Sequence, residues 1–224
     1  MITPADLKAE RYILSPSCAL YLPLWKQGGA SLVSSDAYGH TCTVYGALWT
    51  PQGRSFDGDD YINIPASASL TLTTKLTWEA WMNLTANPLA GQYPFIMGHR
   101  GGGNRPCMYI VPLTSIAHIN LAVGVTDVDV IIGNIGLGSW KHLVMTYDGD
   151  LGSANIKTYL GGVFQNSGDQ PGSLANTNTN LQLGADTWYG NYLNGRIGEV
   201  LICNRVFSAA EIQHNYLATK WRYV

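Results

Sequence analysis

The residues Leu76-Thr-Trp-Glu-Ala-Trp-Met-Asn-Leu84 alternate with a period of two. Leu76, Trp78, Ala80 and Met82 fall on one side of an extended chain, and Thr77, Glu79, Trp81 and Asn83 on the other. Successive side chains of a β-strand point to opposite faces, so the first set predicts a face turned to an apolar core. The same pattern recurs at Cys18-Ala-Leu-Tyr-Leu-Pro-Leu-Trp25, where Cys18, Leu20, Leu22 and Leu24 share a face and Pro23 points to an edge or a bulge.

Working outward, a second apolar segment spans residues 43–48, and Tyr61–Ile64 is bounded by Asp57-Gly-Asp-Asp60 and Pro65. Further strands are expected at 95–98, 108–111, 116–125, 128–132, 140–147, 156–160, 181–184 and 195–204. Short strands separated by Gly, Asn and Asp predict a sandwich or a barrel. Asp148-Gly149 marks a turn, and Gly161-Gly162 sits where a tight hairpin needs positive φ. One helix is signalled near the end: Ser208-Ala-Ala-Glu211 has the spacing of a capping box, with Ile212, Tyr216 and Lys220 following on one face.

The 224 residues suffice for one all-β domain, expected over 18–224, with residues 1–17 as an N-terminal arm. Charged residues make up only 12%, and 13 basic against 15 acidic side chains leave a net charge of -2. Nucleic-acid binding needs a clustered positive face, so that partner is not expected. No apolar run approaches the roughly 18 residues that cross a bilayer, so membrane insertion is not expected either. The first residues carry Asp6, Lys8, Glu10 and Arg11 and no apolar core, which reads as no classical signal peptide. A low-charge sequence rich in Tyr and Asn nevertheless suits an extracellular or virion surface. Cys18, Cys42, Cys107 and Cys203 lack metal-ligand spacing and are expected as free, mostly buried thiols.

Four segments resemble, in order, those of the laminin G-like, concanavalin A-like lectin and glucanase jelly rolls. Phe56-Asp-Gly-Asp-Asp-Tyr-Ile-Asn-Ile-Pro65 is similar to the family's early strand, and Leu76-Thr-Trp-Glu-Ala-Trp81 to its F-T-x-E-A-W strand. Trp140-Lys-His-Leu-Val-Met-Thr-Tyr-Asp-Gly149 resembles W-x-H-V-A-x-T-Y-D-G. Asn194-Gly-Arg-Ile-Gly-Glu-Val200, with Asn204-Arg-Val-Phe-Ser208 and Glu211-Ile212, resembles the closing N-G-x-I-D-E-V and its helix. The resemblance implies an all-β fold of two antiparallel sheets in a jelly-roll sandwich, with a short C-terminal helix. It also implies ligand loops at one rim and often a calcium ion there.

Calcium takes hard oxygen ligands. If the first and last strands pair, as the resemblance implies, Asp57, Asp60 and Glu199 are the expected metal ligands. The family's Asp before the Glu is Gly198 here, which removes one carboxylate. The alternative is that the aspartates are solvent-facing turn residues. Two loops are expected to bind a ligand. Trp188, Tyr189 and Tyr192 place aromatic faces in a polar connection, and Arg100, Asn104 and Arg105 add hydrogen-bond donors. Those aromatics would equally serve packing on a second copy.

A glycoside hydrolase needs two opposed carboxylates, and the laminarinase-type E-x-D-x-E strand is absent. Only Glu79 and Glu199 are left as a candidate pair, since Glu211 reads as a helix cap and Glu10 lies in the arm. The leading expectation is a non-catalytic, lectin-like recognition or adhesion module that binds a glycan or a protein surface through rim loops. The alternatives are a virion structural protein, as a capsid decoration or tail component in a homo-oligomer or capsid and tail assembly, and a glycoside hydrolase.

Overall fold

A computed structural model describes residues 16–99, 101, 106–175 and 177–223. All but the last two residues of the expected N-terminal arm lie outside this range. The described chain opens with β1 (Cys18–Pro23), β2 (Ser31–Val33), β3 (Thr41–Tyr45), β4 (Leu48–Thr50), β5 (Gly53–Asp57) and β6 (Tyr61–Ile64). There follow β7 (Lys75–Leu84), β8 (Phe95–His99), β9 (Cys107–Ile110), β10 (Ile116–Val123), β11 (Thr126–Asn134) and β12 (Trp140–Asp148). The last part holds β13 (Ile156–Leu160), β14 (Val163–Gly168), β15 (Leu181–Leu183), β16 (Ala185–Asp186), β17 (Asn191–Tyr192), β18 (Asn194–Cys203) and helix α1 (Ala209–Thr219).

The strands form two eight-stranded antiparallel sheets and one two-stranded hairpin. The first sheet runs β14-β13-β12-β7-β18-β5-β4, with β1 also paired to β18. The second runs β11-β10-β9-β8-β15-β6-β3-β2. Consecutive hairpins such as β12 to β14 and β8 to β11 are joined by long-range neighbours such as β7 beside β18 and β8 beside β15, as in a jelly roll, and the apolar faces of the two sheets meet. Leu76, Trp78, Ala80, Met82 and Leu84 of β7 enter that core, as their alternation requires, opposite Met108 and Ile110 of β9 and Ile119 and Leu121 of β10 among others. Each such side chain, fully buried, contributes about 1.5–3 kcal/mol.

The other face of β7 is buried as well, because α1 and the residues after it cover it. Trp81 stacks on Tyr216 and Tyr223, and its indole N–H donates to Thr219 Oγ1 at 2.8 Å. Glu79 accepts from Asn215 Nδ2 at 2.9 Å and lies 2.8 Å from His142 Nε2. The capping box holds: Glu211 N–H donates to Ser208 Oγ, and Glu211 Oε2 accepts from the Ser208 N–H at 2.8 Å. The buried face of the helix is Ile212, Asn215 and Thr219, with Tyr216 half-buried beside them, rather than the expected Ile212–Tyr216–Lys220 stripe. Polar Asn215 is buried there because Glu79 needs its amide.

One edge of β18 has two neighbours in succession. Residues Asn194 to Ile197 pair with β5, and Glu199 to Cys203 pair with β1. The register against β7 slips between Ile197 and Glu199, so Gly198 is the bulge at the junction. Gly53 lies against it, and a Cβ there would meet the Ile197 carbonyl oxygen at 2.1 Å. Strand β14 was not legible in the sequence, because Val163 to Gln165 are exposed at the sheet edge and show no alternation of burial. All four cysteines are buried, as expected.

Candidate functional site

The site is assembled on the outward face of β8 to β11. In β9 Met108 and Ile110 enter the core, so Cys107 and Tyr109 face away from it. Register places Tyr109 opposite Phe95 and His118, Cys107 opposite Gly98 and Asn120, and Asn120 opposite Asp129. These residues therefore form one patch drawn from four strands. Gly98 is its floor: a Cβ there would lie 2.6 Å from the Phe95 ring and 2.7 Å from Cys107 Cβ.

Two connections wall this patch. Tyr93 stands edge-on to Tyr109 with ring centroids 5.8 Å apart. The β16–β17 hairpin supplies Asp186, Tyr189 and Asn191. Gln182 anchors that hairpin, accepting from Thr187 N–H at 3.1 Å and donating to Thr187 Oγ1 at 2.9 Å. Asp186 Oδ1 accepts the Trp188 N–H at 3.1 Å, which fixes the turn. Together they enclose a cavity of about 470 Å³.

Its polar groups are already oriented. Tyr109 donates its hydroxyl to Asp129 Oδ1 at 2.9 Å, and Asn120 Nδ2 donates to Asp127 Oδ2 at 2.9 Å and to Asp129 Oδ1 at 3.2 Å. Burial and the adjacent Asp129 push the Tyr109 phenol well above its ordinary value. Burial, with Asp129 and Asp186 adding, does the same to the Cys107 thiol. Burial lowers His118, against a smaller opposing pull from Asp129. Near neutral pH the patch thus offers neutral hydroxyl, amide and aromatic groups beside carboxylates, with no thiolate nucleophile at Cys107. Aromatic faces next to fixed acceptors suit a ring that carries hydroxyl groups.

Each of the two loops expected to bind ligand has one described residue at this cavity. Tyr189 lines the cavity from one, and Gly101 from the other. Arg100, Asn104 and Arg105 lie outside the described residues. Trp188 is exposed on the same hairpin, and Tyr192 pairs with Ala185 and is half-buried. Neither borders the cavity. Sequence reasoning missed Tyr93, Tyr109, Asn120, Asp129 and Asp186. The available signal for the strand residues was His118 and Asn120 in β10 and Asp127 and Asp129 in β11, polar residues two apart between the core-facing Ile119, Leu121 and Val130.

Of the expected metal ligands, Asp57 and Asp60 come together and Glu199 does not join them. Asp57 pairs with Asn194 at the start of β18, five positions before Glu199, which is a separation of roughly 16 Å along a strand. Glu199 is buried on the outer face of the first sheet, where its Oε2 accepts from Tyr21, Trp25 and Arg222, each at 3.2 Å. Asp57, Asp59 and Asp60 do gather, with carboxylate oxygens within 4.8 Å of one another. Asp60 is buried, accepts the Asp57 N–H at 3.1 Å and packs on Gly46, so it also braces the turn. Three hard-oxygen donors fit part of a calcium shell, and Glu199 is not among them. Glu79 and Glu199, the candidate acid/base pair, are each 1% exposed beneath α1 and the C-terminal residues.

Two facing antiparallel sheets with a loop-walled cavity on one outer face define a concanavalin A-like β-sandwich. The chain belongs to the concanavalin A-like lectin/glucanases superfamily, whose laminin G-type profile matches residues 56–213. No curated protein matches it in sequence. Among solved structures it resembles domain 4 of AbnA, a GH43 extracellular arabinanase from Geobacillus stearothermophilus, in complex with arabinotriose. That likeness has a TM-score of 0.73 at 16% identity and covers 91% of this chain and 98% of that one. It also resembles the binding domain of botulinum neurotoxin serotype G, with a TM-score of 0.70, 14% identity and coverage of 89%. Trypanosoma rangeli sialidase gives 0.71, 15% and 100%. The chain spans 50% of the toxin domain's length and 36% of the sialidase's. At these identities the likeness speaks to the fold, which binding modules and glycoside hydrolases share. No described helix is long and apolar enough to cross a membrane.

Proposed function

We propose that this protein is a non-catalytic saccharide-recognition module acting outside the cell, with its ligand in the cavity between β9–β11 and the β16–β17 hairpin. The observation that carries the reading is the convergence of Tyr93, Tyr109 and Tyr189 with Asn120, Asp129 and Asp186 around one space. Aromatic faces stack on sugar rings, and amide and carboxylate groups read their hydroxyls. The AbnA domain, of nearly the same extent, was solved with a bound arabinose oligomer. A non-catalytic role is supported by the sealing of Glu79 and Glu199 away from solvent.

A calcium ion on the Asp57–Asp60 turn belongs to this reading. Hydrogen bonding to Asp57 and its charge raise the Asp59 carboxyl, a repulsion that a cation relieves.

A glycan array followed by calorimetry on the best ligand tests the proposal. Tyr189→Ala and Tyr109→Phe are expected to weaken binding at least tenfold, and Trp188→Ala to leave it within threefold. Binding indifferent to Tyr189 and Tyr109 would refute the site. Polysaccharide cleavage by the wild type that Glu79→Gln abolishes would refute the non-catalytic role.

A further inference from the structure

The outward face of the first sheet carries a cavity of its own, of about 640 Å³. Trp140 and His142 of β12, Tyr216 of α1 and Tyr223 beyond it border the space. At its rim Ser139 and Gly161 carry too little side chain to fill it. The Gly161 turn is held in place: its N–H donates to the His142 carbonyl at 2.8 Å, and a Cβ on Gly162 would lie 3.1 Å from Tyr216 Cβ. The wall it forms is therefore fixed between β12 and α1.

His142 gives this cavity its chemistry. The side chain is fully buried, with Nε2 2.8 Å from Glu79 Oε1, while Glu79 Oε2 accepts the Asn215 amide at 2.9 Å. Facing an acceptor carboxylate, Nε2 is the ring nitrogen that carries a proton. The other nitrogen, Nδ1, is buried without a hydrogen-bond partner. Native structures rarely leave a buried polar atom unpaired, because its lost hydration is not returned. Resting on the saccharide reading above, we infer that this cavity is a second, weaker saccharide site, in which a ring hydroxyl pairs with His142 Nδ1 and the ring lies against Trp140 and Tyr216.

The ligand class follows from the donor and acceptor rules. Nδ1 accepts when the imidazole is neutral and donates when it is charged, and a hydroxyl can answer either. Trp140 and Tyr216 are half-buried, so part of each aromatic surface remains for the C–H face of a sugar ring. The volume falls within the roughly 300–1,000 Å³ of small-ligand sites. No carboxylate borders this cavity among the described residues, whereas Asp129 and Asp186 border the first, which makes this site the weaker of the two. The first cavity opens on the outward face of the other sheet, so both can be filled at once.

Calorimetry with arabinotriose and with the strongest neutral binder from a glycan array, repeated in Tyr109→Phe/Tyr189→Ala, tests the inference. The wild type is expected to take two ligands per chain and the double variant one. Adding Tyr216→Ala should weaken that remaining site at least tenfold. Since Tyr216 also packs on Trp81, nitrogen NMR of the double variant provides a reading that leaves the helix intact. There the ligand should shift the His142 Nδ1 signal and leave those of His40 and His118 in place. One ligand per wild-type chain, no residual binding in the double variant, or an unmoved His142 signal would overturn the inference and leave the saccharide reading standing. Absence of binding by every glycan would overturn both.

Discussion

Tyr223 packs against Gly198, so closely that a Cβ built on the glycine would lie 2.4 Å from the tyrosine ring. The same ring stacks on Trp81 at 4.5 Å and tilts against Trp140 at 4.8 Å. Gly198 is thus explained where it departs from the family's aspartate: the C-terminal residues occupy the space that a side chain would need. Gly198→Asp is expected to destabilise the fold by about 1–3 kcal/mol through overpacking. Part of that loss should return in Gly198→Asp/Tyr223→Ala, measured by urea unfolding as a double-mutant cycle.

Arg222, next in the same segment, stacks on Trp25 at 3.7 Å and reaches the buried Glu199 at 3.2 Å. Burial raises the Glu199 carboxyl and Arg222 pulls it back down. The folded protein then holds this proton more tightly than the unfolded chain does. Glu199 therefore favours folding most below the unfolded pKa of about 4.3, and that contribution is lost as pH rises through the folded value. Arg222→Ala, which strands a buried carboxylate, should cost about 3 kcal/mol at pH 7 and less at pH 4. Glu199→Gln should flatten the pH dependence of stability, and an unchanged slope would contradict this account.

Glu211 behaves in the opposite sense. Arg205, 2.7 Å away, and the Ser208 cap hold it at about 2. Its contribution is present above the unfolded carboxylate's pKa and disappears as pH falls toward 2. Arg205→Ala should raise the Glu211 pKa measured by NMR. Ser208→Ala should cost about 1 kcal/mol of stability through the lost cap.

Calcium added to the chelator-treated protein is expected to raise the melting temperature. Asp57→Asn and Asp59→Asn should remove the effect while Glu199→Gln leaves it in place, because the register separates Glu199 from the aspartates. A response that depends on Glu199 would overturn that assignment.

Much of the fold was legible because alternation is local. Leu76, Trp78, Ala80 and Met82 announce a core face without reference to any other strand, and Ser208 with Glu211 announces a helix start. The site was legible only in part. Tyr189 stood out as an aromatic in a polar loop, whereas Tyr109 is flanked by apolar Met108 and Ile110 and reads as core. Trp188 and Tyr192 carried the same signal as Tyr189, yet the turn that Asp186 fixes leaves both outside the cavity.

By itself the sequence determined most of the strands, the core face of β7, the terminal helix and the family, since period, turn chemistry and motif order are written along the chain. The bulge between Cys18 and Leu20 that turns Cys18 to the other face of β1 was not legible there. Only the tertiary structure decided which strands are neighbours. Tyr109, Asn120 and Asp129 share a wall with Tyr189 because antiparallel register and a hairpin anchored on Gln182 bring them together. The same register carries Glu199 away from Asp57 and under Arg222. The β9 to β11 hairpins are local, but the approach of Tyr189 to them and the separation of Glu199 from Asp57 depend on residues far apart in the chain, fixed by the packing of two whole sheets, and no local pattern encodes them.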